Sequence, residues 1–418
     1  MPQKKRLVFF GSPVFALPPL KTLYLGGYEI VGIYSQEPKK KSRGMKQVKT
    51  PVHQWAESQL LPVFTPSKLN DDSLDEFKLL KPDIAILFAY GKLIPSSWLN
   101  VPLFGFVNIH ASLLPHWRGA APVQRSIENA DKTTGITIMK MNDSLDEGPI
   151  ISSQAIAINS KTTGKSLIDQ ISQESCSLLF NTLKEYLSGK SLLTEQDHSK
   201  STYASKINKS ETQINWSLTN IEVELKIRAF YPYPAMWFNY KGIRFKVLKA
   251  KLSQAGGSPG LIIETPLTIA CQKGSLEILE IQQEGKKAMS IDQFKLGNHD
   301  FIQGDIFYGW VFHDNHVPRS TRTMKAYADA VIVEQRKRTA KKSPVEKLVS
   351  AVGIQAIKAS EGKGLLGTLN KGYNQARQTA NYINQQRKRT FGDAGQRMSA
   401  LKSRSSGSCL LYTSDAAD

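Results

Sequence analysis

Ile84-Ala85-Ile86-Leu87-Phe88 is a run of five apolar residues with no polar position to turn toward water. A strand of that kind is buried on both faces, as in a parallel sheet covered by helices. Leu7-Val8-Phe9-Phe10 reads as the first strand. From residue 5 to about 190, strand-like runs alternate with helical stretches. That is the pattern of a doubly wound, Rossmann-like α/β sheet, mainly parallel. Such sheets place their chemistry at strand ends and in the loops that follow them.

One strand end is rich in chemistry. Gly105-Phe106-Val107-Asn108-Ile109-His110 alternates, so Asn108 and His110 point to one face, about 7 Å apart along the strand. The loop Ser112-Leu113-Leu114-Pro115 is stiffened by Pro115, and Gly119 turns the chain. Ala120 to Ile127 reads as a helix with Pro122 tolerated in its first turn. Thr134 to Met141 reads as another strand, with Asp146-Glu147-Gly148-Pro149 on the loop beyond it. A lone histidine near a strand end is more often structural, and Asp-x-Gly-Pro is usually only a turn. Together, however, an amide, an imidazole and a carboxylate can polarise a carbonyl, move a proton and orient the imidazole that moves it.

Other chemistries find no support. Gly11-Ser12-Pro13 stands where a dinucleotide-binding Gly-x-Gly-x-x-Gly loop would be. Gly164-Lys165-Ser166 resembles a phosphate loop superficially, but Asn159 occupies the position of its first glycine. Cys176, Cys271 and Cys409 are isolated, and His313-x-x-His316 offers only two ligands, so no metal is expected. With no secretory signal and no membrane-length apolar run, a reducing cytoplasm is the expected location.

Asn108-x-His110-x-Ser112-Leu113-Leu114-Pro115, Trp117-Arg118-Gly119-Ala120-Ala121-Pro122 and Leu145-Asp146-x-Gly148-Pro149 resemble the folate-dependent formyltransferases. The likeness begins at Leu7 to Ala16 and continues through Ala89-Tyr90-Gly91-Lys92-Leu93-Ile94-Pro95. It takes in Ile214-Asn215-Trp216-Ser217, Ile227 to Pro234 and Lys286 to Ser290, and fades near Phe307. The Trp-Arg-Gly-Ala-Ala-Pro run and the later motifs favour the branch that acts on methionyl-tRNA.

The resemblance implies transfer of a formyl group from 10-formyltetrahydrofolate to the α-amine of methionyl initiator tRNA. Asn108 and His110 would stabilise the oxyanion, His110 would take the amine proton, and Asp146 would orient His110 or hold a bridging water. Which of Asn108 and His110 lies nearer the oxyanion stays open. The pterin would lie against Phe88, Ala89, Tyr90 and Gly91, near Asn142 and Leu145, with Ser112, Leu113, Leu114 and Pro115 completing the folate site. The implied organisation is a catalytic domain over 1–190, a polar linker over 191–205, and a five-stranded OB-like barrel over 206–307 that contacts tRNA. A monomer is expected.

Charge fits a polyanionic partner: the formal net charge is +19 and the pI about 9.6, which favours counterion release. Lys39 to Lys49 carries six basic side chains. An ordinary solvated loop can look the same, but the resemblance sets this segment against the tRNA acceptor end, with Arg43 the matching position and Lys41, Lys46 and Lys49 beside it. Arg228 and Lys246, with Lys241, Arg244, Lys249 and Lys251, are assigned to a basic face of the second domain. Residues 311–418 hold 19 basic and 8 acidic side chains, so +11 of the +19 lies there. Residues 308–408 fall outside the resemblance and stay unassigned: a chimeric or out-of-frame tail explains them at least as well as a genuine third domain. Residues 409–418 read as a translated sequencing adapter.

Two other classes share these features. One is a formyltransferase for an amino-sugar nucleotide or another small amine, with a formyl-folate hydrolase beside it. The other is a catalytically idle RNA-binding scaffold.

Overall fold

The apolar runs become the middle of a sheet. In chain order the first lobe has β1 (Arg6–Gly11), α1 (Leu17–Leu25), β2 (Glu29–Tyr34), a hairpin of β3 (Lys39–Lys41) and β4 (Lys46–Val48), and α2 (Pro51–Ser58). Next come β5 (Val63–Phe64), α3 (Asp71–Leu79), β6 (Ile84–Phe88), α4 (Ser96–Leu99), β7 (Phe106–His110) and β8 (Arg118–Gly119). α5 (Pro122–Glu128), β9 (Thr133–Lys140), β10 (Ile150–Ala157) and α6 (Gly164–Tyr186) complete it. The computed structural model describes residues 4–41, 46–264, 267–297, 301 and 303–307. The tail after 307, with His313, His316 and Cys409, lies outside these residues.

Among the described residues, seven strands form one sheet in the order β10-β9-β7-β6-β1-β2-β5. β5, β2, β1, β6 and β7 run parallel; β9 pairs antiparallel with β7, and β10 pairs antiparallel with β9 and so runs with the others. The chain builds outward from β1 to β5, then returns to β6 on the other side. The sheet therefore has its topological switch point between the carboxyl ends of β1 and β6, where open α/β sheets form a crevice for ligand.

Both faces are buried, as the unbroken apolar runs require. On one face Val8, Phe10, Tyr34, Ala85 and Phe106 meet Phe77 of α3 and Trp98 of α4. The Phe10 and Tyr34 rings stack at 4.6 Å and those of Phe77 and Trp98 at 4.8 Å, pairs worth about 1 kcal/mol each beyond their buried area. On the other face α6 presents Leu167, Ile171, Leu179 and Leu183 at helical spacing. The Thr163 side chain caps α6 by accepting from the Ser166 backbone N–H, a contribution of about 1 kcal/mol. Gly164 opens this helix because a Cβ there would lie 2.3 Å from the Ala229 carbonyl oxygen, so close packing explains the glycine.

The second lobe carries α7 (Asn220–Ala229) and then β12 (Met236–Tyr240), β13 (Ile243–Ser253), β14 (Ile262–Glu264), β15 (Thr268–Ala270), β16 (Ser275–Gln283), β17 (Met289–Ser290) and α8 (Ile291–Gly297). Among the described residues its sheet has six strands, following the antiparallel path β12-β13-β16-β15-β14 with the two-residue β17 against β16, one more than the five expected. Arg125 and Glu128 of α5 meet Glu211 and Lys226 in a half-buried charge network that ties this lobe to the first.

The polar stretch at 191–205, expected as a linker, is held against the first lobe. Thr194 bridges Ile150, and β11 (Tyr203–Ala204) pairs in parallel with β8. Its polar composition suggested solvation, but these groups have protein partners.

Candidate active site

β7 passes from core to chemistry along one face. Phe106 belongs to the aromatic cluster, and two and four residues later Asn108 and His110 emerge on the same side, only 7% and 5% exposed. The loop after β9 brings Asp146 between them. Its Oδ1 accepts from Asn108 Nδ2 at 3.3 Å, and its Oδ2 accepts from the Gly119 backbone N–H at 2.9 Å. The same Oδ2 lies 3.6 Å from His110 Nδ1.

The other ring nitrogen defines the tautomer. His110 Nε2 lies 2.9 Å from the Trp117 carbonyl oxygen, which can only accept, so Nε2 carries a proton and donates. Nδ1 is left as the nitrogen able to exchange a proton, with a carboxylate beside it. This geometry is built from tight turns. The Leu114–Pro115 bond is cis, and Ala89, Trp117 and Asp146 take φ of +53°, +60° and +52°. Non-glycine residues in that region each cost roughly 1 kcal/mol or more and persist only where surroundings hold them. At Gly148 a Cβ would lie 1.9 Å from the Lys140 carbonyl oxygen, so only glycine lets the Asp146 loop lie against β9.

A buried ion network supports that loop. Arg118, 1% exposed, donates to Glu147 Oε1 at 3.0 Å. Its Nε and Nη2 donate to Gln196 Oε1 at 3.1 and 2.8 Å. Gln196 in turn donates to the carbonyls of Asp146 and Gly148. The sequence contained Arg118 within a motif without a role, and nothing local signalled Gln196.

The expected folate residues divide. Ala89 and Gly91 (φ +80°) form a left-handed turn at the carboxyl end of β6, beside the crevice. Val14 after β1 and Leu93 after β6 keep apolar side chains in water there, 62% and 83% exposed, suited to an apolar ligand. Asn142 and Leu145 are exposed on the loop before Asp146, where Asn142 accepts from the Ser144 N–H. Phe88 is core. The Tyr90 ring packs edge-on against Phe10 at 5.3 Å, and burial, helped by the Glu37 charge, raises its phenol above the ordinary value. Only backbone at Tyr90 is therefore near the crevice. Ser112 donates to the His116 carbonyl at 2.5 Å while its own carbonyl accepts from Thr137, and Leu113 packs over Gly135. Ser112 and Leu113, with Leu114 and cis Pro115, shape the loop below His110.

The basic residues divide as well. Arg43 lies outside the described residues. Lys41 and Lys46 are on the β3–β4 hairpin, and exposed Lys49 is 2.6 Å from Glu57. Arg228 is committed elsewhere, donating to Glu224 at 2.6 Å and to the Thr162 carbonyl at 2.8 Å. Lys246 is half-buried in β13 opposite Trp237, on which its neighbour Arg244 stacks at 3.8 Å. Among the described residues, no three His, Cys, Asp or Glu side chains form a metal-sized group, and no helix is long and apolar enough to cross a membrane.

Comparison with known proteins bears on both lobes. Residues 5–183 match the family described as Formyl transferase, and residues 206–299 match Formyl transferase, C-terminal domain. The methionyl-tRNA formyltransferase of Pelagibacter ubique is 41% identical over 297 residues, covering 70% of this chain and 96% of that protein. The protein of the same name from Paramagnetospirillum magneticum is 38% identical over 295 residues, 70% of this chain and 97% of its own. Among solved structures, the N-formyltransferase from Helicobacter canadensis in complex with folinic acid and dTDP-3-aminofucose superposes with a TM-score of 0.51 at 19% identity. It covers 67% of this chain and 100% of its own, a likeness of fold alone.

Proposed function

The chain belongs to the methionyl-tRNA formyltransferase family, and from that premise we propose how its residues carry the reaction. It transfers a formyl group to the α-amine of methionyl initiator tRNA. The donor is 10-formyltetrahydrofolate, seated at the switch-point crevice against the turn at Ala89 to Gly91. The observation that carries the mechanism is the Asp146 carboxylate set between Asn108 and His110.

A bond forms from the amine nitrogen to the formyl carbon, and the bond from that carbon to folate N10 breaks. Charge develops on the formyl oxygen. Asn108 has a second amide N–H that Asp146 does not occupy, and this donates to the oxygen, a contribution of about 3–4 kcal/mol. His110 Nε2 is already spent on Trp117, so Asn108 is the steadier oxyanion donor. His110 Nδ1 takes the proton that the amine sheds and returns it to the departing N10. Asp146, beside Nδ1, stabilises the imidazolium between those steps.

The basic segment over residues 39–49, with Arg43, Lys41, Lys46 and Lys49, holds the acceptor end of the tRNA, with Lys246 on the second lobe. These contacts act on phosphates and position the substrate without reading bases. The enzyme works in the cytoplasm as a monomer. Steady-state kinetics of the His110→Ala protein test the chemistry. A loss of about 10²–10⁴-fold in kcat is expected, and retention within about tenfold removes His110 from the proton path.

A further inference from the structure

The segment joining the two lobes forms part of the site's wall. Thr194 exchanges both backbone hydrogen bonds with Ile150, at 2.8 and 2.9 Å. The Thr202 carbonyl accepts from Arg118 N–H at 2.9 Å, and its hydroxyl accepts from Trp117 N–H at 2.8 Å. The Ala204 carbonyl takes Ala120 N–H at 2.9 Å. These bonds hold Trp117, Arg118 and Ala120, and within the run they fix, Trp117 and Gly119 supply the backbone partners of His110 and Asp146.

Within this strap Gln196 is 5% exposed and makes four hydrogen bonds. Its Oε1 accepts twice from Arg118, at 3.1 and 2.8 Å. Its Nε2 donates to the Asp146 carbonyl at 2.9 Å and to the Gly148 carbonyl at 2.7 Å. Both N–H groups and both lone pairs of a primary amide are therefore used. The acceptor end anchors the amide on a buried guanidinium. The donor end grips the backbone on either side of Glu147, where Asp146 sits at φ +52° and needs outside support to stay there.

We infer that Gln196 is a positioning residue for formyl transfer. Its two N–H donors hold the Asp146–Gly148 backbone so that the carboxylate reaches Gly119 N–H, Asn108 and His110 together. Gln196 touches no reacting atom and acts through Asp146. The inference rests on the formyl-transfer reading, and its test separates the two.

Gln196→Glu is the selective variant. It keeps the size of the side chain and the acceptor for Arg118, but presents an oxygen instead of an N–H to two carbonyls. Gln196→Ala removes both ends and serves as the control for loss of the fold, read by circular dichroism and thermal melting. In the full chain, Gln196→Glu is expected to lower kcat by about 10²-fold, the scale for a misplacement near 1 Å. KM for methionyl-tRNA should stay within about twofold, because uniform binding is untouched. The imidazole ¹H–¹⁵N signals of His110 should move while those of His53 do not.

Wild-type kcat in Gln196→Glu with unmoved His110 signals overturns the inference. A higher tRNA KM at unchanged kcat also overturns it, assigning the strap to tRNA binding. If the wild-type protein transfers no formyl group, the functional reading fails, and the His110 signals alone decide whether Gln196 positions the trio.

Discussion

The Asp146 carboxylate lies 3.6 Å from His110 Nδ1, in a site where the opposite ring nitrogen is already bonded to the Trp117 carbonyl. An imidazole held in this way has one nitrogen for orientation and one for chemistry. Asp146→Asn keeps the shape but removes the counter-charge beside Nδ1. We expect kcat to fall by about 10²-fold or more, with KM for both substrates little changed. Steady-state kinetics check this, and an unchanged kcat removes Asp146 from the proton path.

Asn108→Ala removes the assigned oxyanion donor. The expected loss is about 10²–10³-fold in kcat, with the thermal melting temperature near that of wild type. A purely structural asparagine would shift melting and leave kcat alone.

Gly148→Ala tests the loop geometry. The added methyl would lie 1.9 Å from the Lys140 carbonyl oxygen, a backbone atom that cannot step aside, so the loop must lift and carry Asp146 with it. Formyl transfer should drop by at least about tenfold, while a Gly189→Ala control changes only stability, since its strain lies in an open turn at φ +73°.

The junction of the lobes should be acid-sensitive. Burial would raise the Glu211 carboxyl, but hydrogen bonds from the Arg125 guanidinium and the Asn208 N–H outweigh it and hold the group below its ordinary 4.5. A carboxylate depressed by folding contributes stability that is present above its unfolded value and lost as pH falls through the folded one. Melting temperature should therefore decline below about pH 4.5. Glu211→Gln should melt lower at neutral pH and decline less steeply in acid, whereas parallel curves would deny Glu211 that part.

Arg43→Glu puts the assignment of the basic segment at risk. It should raise KM for tRNA and flatten its dependence on salt, with the slope of log K falling by about one charge unit. Unchanged salt dependence takes the segment out of the tRNA site.

Much of this was legible because it is local. Strand alternation put Asn108 and His110 on one face, and the unbroken run at Ile84 to Phe88 required a sheet covered on both sides. Asp146 could be grouped with His110 from their chemistry, but its role beside that residue came from the family likeness, since no periodicity links a loop to a strand 36 residues away. At Tyr90 side chain and backbone go different ways: the ring is core, which leaves the backbone of the turn, the part expected to read the pterin, at the end of the strand. Charge in a sequence does not reveal its partner, and for Arg228 the structure supplies two, Glu224 and the Thr162 carbonyl. The strap was hidden because a two-residue strand carries no pattern, and Gln196 sits among polar residues that resemble a solvated linker.

The most direct test is formyl transfer by the full chain from 10-formyltetrahydrofolate to methionyl initiator tRNA, with methionyl elongator tRNA in parallel. Formylation of the initiator, strongly preferred over the elongator and abolished by His110→Ala, is the predicted result. Consumption of the formyl donor without formylated tRNA, or transfer undiminished in His110→Ala, would contradict it.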